Sequence, residues 1–245
     1  MSLPAAILAG GLATRLGPLT EKIPKSLIDV AGKPFAVHQI ELLRRHGVTE
    51  IVFCVGHLGG KIRTELGNGS SFGVRLNYVF DGSILLGTGG ALRKALPLLG
   101  EAFFVLYGDS YLDCDYAAIE QAFCTSGKLG LMTIIQNLDK WDRSNVLFEE
   151  GQIKRYDKKH QTPDMKHIDY GLGVFQEKVF RFCQEGVPID LAQIYQDLVA
   201  QDQLAAFEVT QRFYEIGSPS GLEEARRFLE QKRGIKNELY PRISK

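Results

Sequence analysis

The chain has 245 residues, and its 29 basic and 29 acidic side chains give a formal net charge of zero. This balance argues against a protein that coats nucleic acid, because such binding depends on massed Lys and Arg. No apolar run is long enough to span a bilayer, and the N-terminus lacks a leader-like segment. We therefore expect a cytoplasmic globular protein with neither a nucleic-acid nor a membrane partner.

The first feature along the chain is an apolar run, 5–8, that leads directly into Gly10 and Gly11. The run predicts a buried strand, and the glycines let the backbone turn and let a ligand approach it closely. Arg15 and Lys25 follow, so the stretch predicts a polyphosphate cradle of backbone N–H groups and two cations. It is neither a dinucleotide fingerprint nor a P-loop. The alternative is a strand followed by a surface loop.

The following elements alternate between strands and helices. The patterns predict helices at 34–46, 58–66, 91–98 and 116–123, and strands at 50–55, 74–79, 102–107 and 130–136. This rhythm predicts a layered α/β sheet with mainly parallel strands. From Trp141 the chain changes to short strands at 146–148, 152–156 and 171–175. Two helices, at 177–183 and 190–199, come next, then a strand and a helix between 213 and 229.

A glycine-rich segment, Gly87-Thr88-Gly89-Gly90, precedes the predicted third helix. It indicates a second backbone surface that packs close to a flat group such as a base or ribose. The alternative is a glycine-rich helix N-terminus without a ligand.

Acidic residues follow the strand at 102–107. Asp109 comes at its carboxyl end, where α/β folds bind ligands, and a carboxylate there is a natural Mg²⁺ ligand. Asp113 and Asp115 form a competing pair that looks like the D-x-D of metal-dependent glycosyltransferases. We interpret this pair instead as the cap of the helix at 116–123.

The first stretch as a whole resembles the signature of sugar-1-phosphate nucleotidyltransferases. It stands here as Leu8-Ala9-Gly10-Gly11-Leu12-Ala13-Thr14-Arg15-Leu16-Gly17-Pro18-Leu19-Thr20, followed by Pro24-Lys25. Ala13 departs from the glycine that is usual in the family. The resemblance covers about 5–229 and implies a Rossmann-like three-layer α/β sandwich with a mostly parallel mixed sheet, of the nucleotide-diphospho-sugar transferase type. It implies a single domain at 1–231, with a nucleotide-binding half to about 136, a sugar-binding half from about 137, and a loosely attached tail at 232–245.

The second half matches the family less closely. Asp157 and Lys158 lie in an element similar to the family's E-K-P, although a solvated turn is the alternative. The segment ending at Gly171 falls at the family's N-A-G, with Asp169 and Tyr170 in place of Asn and Ala. The stretch 213–219 resembles W-x-D-I-G-T-P, and in it Glu215 replaces the metal-binding Asp. An exposed acid on an edge strand is the alternative there.

The resemblance implies a role for each matched residue. Arg15 and Lys25 would be catalytic, and Asp109 and Glu215 would hold Mg²⁺. The nucleotide would lie against Leu8, Gly10, Gly11, Gly87, Thr88 and Gly90. The sugar phosphate would be bound by Asp157, Lys158 and Gly171.

The implied reaction is Mg²⁺-dependent transfer of a nucleoside monophosphate from an NTP to a sugar 1-phosphate, with release of pyrophosphate. We expect a heptose- or hexose-1-phosphate guanylyltransferase-like enzyme of cell-surface polysaccharide precursor synthesis. A uridylyltransferase acting on N-acetylmuramate 1-phosphate is the alternative. A glycosyltransferase that uses Asp113 and Asp115, and a non-catalytic nucleotide-binding regulatory module, are the alternatives from other classes. The oligomeric state is not predicted, and a homo-oligomer is possible.

Overall fold

The structure is a computed structural model that describes residues 2–11, 16–17 and 22–239, with the backbone alone for 233–239. The strands in these ranges are β1 (Ala5–Ala9), β2 (Asp29–Val30), β3 (Lys33–Pro34), β4 (Glu50–Val55), β5 (Arg75–Phe80), β6 (Ala102–Tyr107), β7 (Ser110–Tyr111), β8 (Gly130–Gln136), β9 (Val146–Glu149), β10 (Gln152–Tyr156), β11 (His167–Gln176), β12 (Leu204–Glu208) and β13 (Tyr214–Glu215). The helices are α1 (Phe35–Arg45), α2 (Gly59–Leu66), α3 (Gly87–Ala95), α4 (Tyr116–Ser126), α5 (Lys178–Arg181), α6 (Leu191–Ala200) and α7 (Pro219–Leu239).

One mixed sheet of nine strands organises the described part of the chain. Its order is β10-β9-β11-β6-β1-β4-β5, with β8 beside β11 and β12 beside β8. The ladders joining β6, β1, β4 and β5 are parallel, whereas β11 is antiparallel to β6, β8 and β9. Two short ribbons, β2-β3 and β7-β13, lie outside it. The expected α/β fold with a mostly parallel mixed sheet is therefore confirmed.

Both faces of the sheet are covered by helices. In β1, Ala5 and Ile7 belong to one apolar cluster and Ala6 and Leu8 to another, because successive side chains point to opposite faces. Residues of α1, α2 and α4 share the first cluster, and those of α3 and α6 share the second. Burial on both faces explains why the strand is an uninterrupted apolar run. The result is the three-layer sandwich that the sequence predicts.

The structure differs from the sequence expectations at several element boundaries. Helix α3 begins at Gly87, one turn earlier than predicted, and β11 is longer than the predicted strand at 171–175. Strand β12 was not predicted, because its five residues show no alternation of apolar and polar side chains. Helix α7 continues through Leu239, into the segment expected to be a loose tail. None of the helices in the described ranges has both the length and the apolar character that a membrane crossing requires.

Candidate active site

The carboxyl ends of three parallel strands meet at one edge of the sheet. Ala9 of β1 pairs with Val55 of β4, and Leu8 pairs with Tyr107 of β6. Ligands in α/β folds bind at such an edge. A cavity of about 260 Å³, here called the first cavity, opens at this position. The predicted site residues in its wall are Leu8, Gly10, Gly11, Lys25, Gly87, Thr88 and Asp109.

A second cavity, of about 580 Å³, continues from the first. The two share Tyr107 and Asp109 as wall residues. The predicted residues Lys158, Gly171 and Glu215 line the second cavity. Candidates from both halves of the chain therefore converge on one bipartite site, with Asp109 at the junction.

Lys25 and Asp109 form an ion pair at this junction. The Lys25 Nζ donates to Asp109 Oδ2 at 2.9 Å, and the two side chains are 18% and 22% exposed. Ser110 Oγ lies 3.3 Å from the other carboxylate oxygen. The short 3-10 helix Lys25–Leu27 and the strand end of β6 thus place a cation and an anion side by side, where a phosphate chain could displace one from the other.

Glu215 reaches the same cavity through the β7-β13 ribbon. It pairs with Ser110 in the antiparallel register, and the N–H of Ile216 donates to the carbonyl of Asp109 at 2.9 Å. The two predicted metal-binding carboxylates therefore lie on adjoining backbone segments and line one cavity wall.

This pair of carboxylates fits a magnesium ion that shares its coordination with a substrate. Mg²⁺ is usually bound by one or two carboxylates, with phosphate oxygens and water as its other ligands. Within the described ranges no group of three or more His, Cys, Asp and Glu could hold a metal. The donor set at Asp109 and Glu215 is thus suited to a metal that arrives with a nucleotide, and not to an all-protein cage.

Lys158 presents a charged group to the second cavity. Its Nζ lies 3.6 Å from Asp169 Oδ2 and stands over the rings of Tyr107 and Tyr156, at 5.3 and 5.7 Å from their centroids. Burial alone would lower the pKa of Lys158, but Tyr107 and Asp169 outweigh it, so that the pKa is raised above its ordinary value. The side chain is therefore an ammonium at any physiological pH.

Asp169 lies in the wall of the second cavity, whereas Asp157, the acid predicted to bind the sugar phosphate, does not. The Asp169 side chain is 4% exposed and accepts hydrogen bonds from the Tyr156 hydroxyl at 3.2 Å and the Gly171 N–H at 2.9 Å. Asp157 Oδ1 accepts the backbone N–H groups that follow it in a tight turn, and these bonds lower its pKa to about 2. Asp157, which stands at the family's acid position, thus forms a turn in this protein. Asp169, which replaces the family's Asn, faces the second cavity instead.

The glycine-rich segment divides between the cavity and a packing contact. Gly87 has a φ of +68°, and a Cβ on it would lie 2.6 Å from the Ile189 carbonyl. A Cβ on Gly90 would lie 2.8 Å from the Val187 carbonyl, and Gly90 is absent from the cavity wall. Thr88 Oγ1 accepts the Leu191 N–H at 2.7 Å at the start of α6. The alternative interpretation, a glycine-rich helix start, therefore accounts for Gly90.

The D-x-D pair lies away from both cavities. Asp115 Oδ1 accepts the Ala118 N–H at 3.0 Å and caps α4, which confirms the interpretation of this residue as a helix cap. Asp113 binds Lys232 of α7 and faces Arg45, the last residue of α1, and His46, which follows it. Neither aspartate lines the site, so the sequence basis for a glycosyltransferase is removed. The predicted catalytic residue Arg15, and the departure at Ala13, lie outside the described residues.

Several residues in the walls of the two cavities were not predicted from the sequence. Asp81 lines the first cavity directly after β5, accepts the Leu86 N–H at 3.3 Å, and has a pKa that burial raises. The sequence could have predicted Asp81, because it follows the end of a strand as Asp109 does. The missed residues of the second wall lack such a signal, because they lie in polar loops: Lys140, Trp141, Arg143 and Arg212.

Known proteins resemble this chain along most of its length. The family model described as Nucleotidyl transferase matches residues 4–232. The chain is 31% identical over 223 residues to mannose-1-phosphate guanyltransferase beta-A of Xenopus laevis, covering 89% of this chain and 62% of that protein. It is 31% identical over 231 residues to N-acetylmuramate alpha-1-phosphate uridylyltransferase of Neisseria meningitidis serogroup B, covering 91% of this chain and 96% of that protein.

A solved structure shows the same fold. It is described as a glucose-1-phosphate thymidylyltransferase of Bacillus anthracis and superposes with a TM-score of 0.84 at 21% identity, covering 94% of this chain and 96% of that one. The chain spans less than two thirds of the length of the Xenopus protein. The match to the family model nevertheless extends over both cavities, and the chain belongs to the nucleotidyl transferase family of enzymes.

Proposed function

We propose that the protein transfers a nucleoside monophosphate from an NTP to a sugar 1-phosphate, with Mg²⁺, and releases pyrophosphate. The observation that carries this proposal is the junction of two cavities at Asp109. The glycine-edged first cavity, with Lys25, suits a nucleoside triphosphate, and the larger second cavity, with Lys158, suits a phosphorylated sugar. Both substrates are found in the cytoplasm, where we expect the enzyme to act.

The chemistry that these residues support is positioning and charge neutralisation. The phosphate of the sugar is already an anion near neutral pH, so that no general base is needed for its attack on the α-phosphorus. Lys158 would hold this nucleophile, and Lys25 would steady it against the α-phosphate. Arg15 would bind the departing β- and γ-phosphates. Asp109 and Glu215 would hold Mg²⁺, which when bound supplies positive charge to the phosphate oxygens.

The proposed base is guanine, and Asp81 supports it. Guanine presents two adjacent donors, N1–H and N2–H₂, which a single carboxylate can accept together. Uracil presents one N–H between two carbonyl oxygens, and a carboxylate repels those oxygens. Asp81 Oδ2 accepts one backbone N–H at 3.3 Å, and a carboxylate offers about four acceptor sites. We propose a heptose or hexose 1-phosphate as the sugar, for cell-surface polysaccharide precursors.

A second candidate is the uridylyltransferase reaction with N-acetylmuramate 1-phosphate. It is favoured by the end-to-end match to the Neisseria protein and by the cations in the second wall. N-acetylmuramate carries a carboxylate, which Arg143 or Lys140 could neutralise.

The test is pyrophosphate release from the purified protein with Mg²⁺. Four nucleoside triphosphates are crossed with the 1-phosphates of heptose, mannose, glucose and N-acetylmuramate. We expect release that needs both substrates and is fastest with GTP, and Asp81→Asn should reduce the preference for GTP over UTP. If triphosphates bind but no pair releases pyrophosphate, the protein is either a non-catalytic nucleotide-binding module or an enzyme that acts on a sugar other than these four.

A further inference from the structure

A buried glutamine of α1 grips the turn that carries Asp109. Gln39 has no exposed surface, and its Nε2 lies 2.8 Å from the carbonyl oxygens of both Tyr107 and Ser110. The two acceptors flank Gly108 and Asp109 in the sequence. The side-chain amide therefore donates its two hydrogens to the two ends of one four-residue segment, at the junction of the two cavities.

The same turn is held from two other directions. The Gly108 N–H donates to Leu8 of β1, and the Asp109 carbonyl accepts the Ile216 N–H, each at 2.9 Å. A Cβ on Gly108 would lie 3.0 Å from Ala9 Cβ, so the turn lies tightly against β1. Gln39 supplies the third restraint on the backbone of the turn, from the helix layer, through its side-chain amide.

We propose that Gln39 is a positioning residue that fixes the Tyr107–Ser110 turn and thereby sets where the Asp109 carboxylate stands relative to Lys25 and Glu215. This inference rests on the proposed function of Asp109. It adds to that function a residue from a helix that contributes nothing to either cavity wall.

The side-chain oxygen of Gln39 is buried at a cost in free energy. Its Oε1 is buried without a hydrogen-bond partner, and a buried unsatisfied acceptor costs free energy. An apolar side chain of similar volume would remove that cost, but it would also take the Gln39 donor away from the carbonyls of Tyr107 and Ser110, so the two effects on stability oppose each other. The loss of the two bonds should also appear in the geometry of the turn, because both hydrogens of the amide are used there.

The experiment compares Gln39→Leu with His38→Leu. His38 is the matched control, since it is the preceding residue of α1, is buried, and bonds through Nε2 to a backbone carbonyl, that of Val30, at 2.7 Å. Gln39→Met serves as a second variant should the branched Leu fail to fold. Two quantities are measured: hydrogen exchange of the Ile216 amide in the substrate-free protein, and the steady-state constants with their dependence on Mg²⁺ concentration.

We expect Gln39→Leu to exchange the Ile216 amide faster than the wild type and to lose about 10- to 100-fold in kcat or in apparent Mg²⁺ affinity, the usual effect of removing a group that orients a metal ligand. His38→Leu should change neither quantity. Wild-type exchange and wild-type kcat in a folded Gln39→Leu protein would overturn the proposal, as would equal effects in both variants. If the wild type itself catalyses no transfer, the proposed function fails, while the exchange of Ile216 still decides whether Gln39 holds the turn.

Discussion

The two lysines proposed to bind phosphate differ in their surroundings. Lys25 is bonded to Asp109 at 2.9 Å, whereas Lys158 is 3.6 Å from Asp169 and lies over two aromatic rings. We therefore expect Lys25 to exchange its carboxylate partner for phosphate when substrate binds. We expect Lys158, whose ion pair with Asp169 is longer, to bind phosphate without giving up that partner.

The role proposed for Lys158 predicts a selective kinetic defect. In Lys158→Met the ammonium is lost while an unbranched side chain stays, so kcat/KM for the sugar 1-phosphate should fall by ~10²-fold. The KM for the triphosphate should stay within about two-fold of the wild-type value, because Lys158 does not line the first cavity. Lys154→Met is the control, since Lys154 is exposed on β10 and bonds Gln152. Equal defects toward both substrates would contradict the assignment.

The two candidate acid sites predict opposite results. Asp109→Asn should retain its fold and lose at least ~10²-fold in turnover, since it removes a charge at the reacting phosphates. Asp115→Ala should lose about 1 kcal/mol of stability with the α4 cap and keep its turnover when folded. Steady-state rates and denaturant melts of both variants test this. Retained turnover in Asp109→Asn, or loss of turnover in a folded Asp115→Ala, would contradict this assignment and favour the glycosyltransferase alternative.

At the level of single residues, the sequence predicted the half of the site that one continuous motif encodes. Leu8, Gly10, Gly11 and Lys25 line one cavity because the signature is a single strand and loop. It was harder to predict which of Asp157 and Asp169 faces the second cavity, because this depends on the turn at Asp157 and on the register of β11. The role of Asp157 in binding stays a prediction.

At the level of elements, the start of α3 joins the first cavity to α6. Gly90→Ala should destabilise the protein by about 1–3 kcal/mol, since its Cβ would meet the Val187 carbonyl at 2.8 Å and force a backbone shift. It should also raise the KM for the triphosphate, because Gly87 and Thr88 move with it. Gly60→Ala is the matched control: this α2 glycine has open space around it, and we expect a gain of at most about 1 kcal/mol. Thermal melts and KM values of both variants check the pair, and equal melting temperatures would contradict the packing argument.

Helix α7 is fastened to the domain through Asp113. Hydrogen bonds from His46 and Lys232 lower the pKa of Asp113 below its usual range. Because the folded pKa lies below the unfolded value of about 3.9, its stabilisation is complete above about pH 5 and is lost as the pH falls through the folded pKa. Asp113→Asn should therefore lose about 1–2 kcal/mol at neutral pH, and this difference from the wild type should shrink in acid.

The measurement for α7 is urea unfolding between neutral and acid pH. Asp202→Asn serves as the control, because Asp202 pairs with Lys128 at an exposed position where an ion pair contributes little. A difference between wild type and Asp113→Asn that is constant with pH would show that the charge of Asp113 does not hold the helix.

At the level of the whole molecule, the sheet brings together halves with different strand directions. The alternation of strands and helices predicted the parallel half well, because β1, β4 and β6 there are almost entirely apolar. The antiparallel half was predicted less completely, since β11 contacts three strands and its length follows from those contacts. The shared wall at Tyr107 and Asp109 could not be predicted from sequence at all, because it depends on how the two halves meet.

In the proposed reaction the sugar phosphate attacks the α-phosphorus of the triphosphate. The most direct measurement is mass spectrometry of the products formed from GTP and a sugar 1-phosphate whose non-bridging phosphate oxygens carry ¹⁸O. Nucleophilic attack by that phosphate predicts a nucleotide sugar that retains all of the label, unlabelled pyrophosphate, and no product with Asp109→Asn. Label in released inorganic phosphate, or no nucleotide sugar with any of the four sugar 1-phosphates, would contradict this reaction.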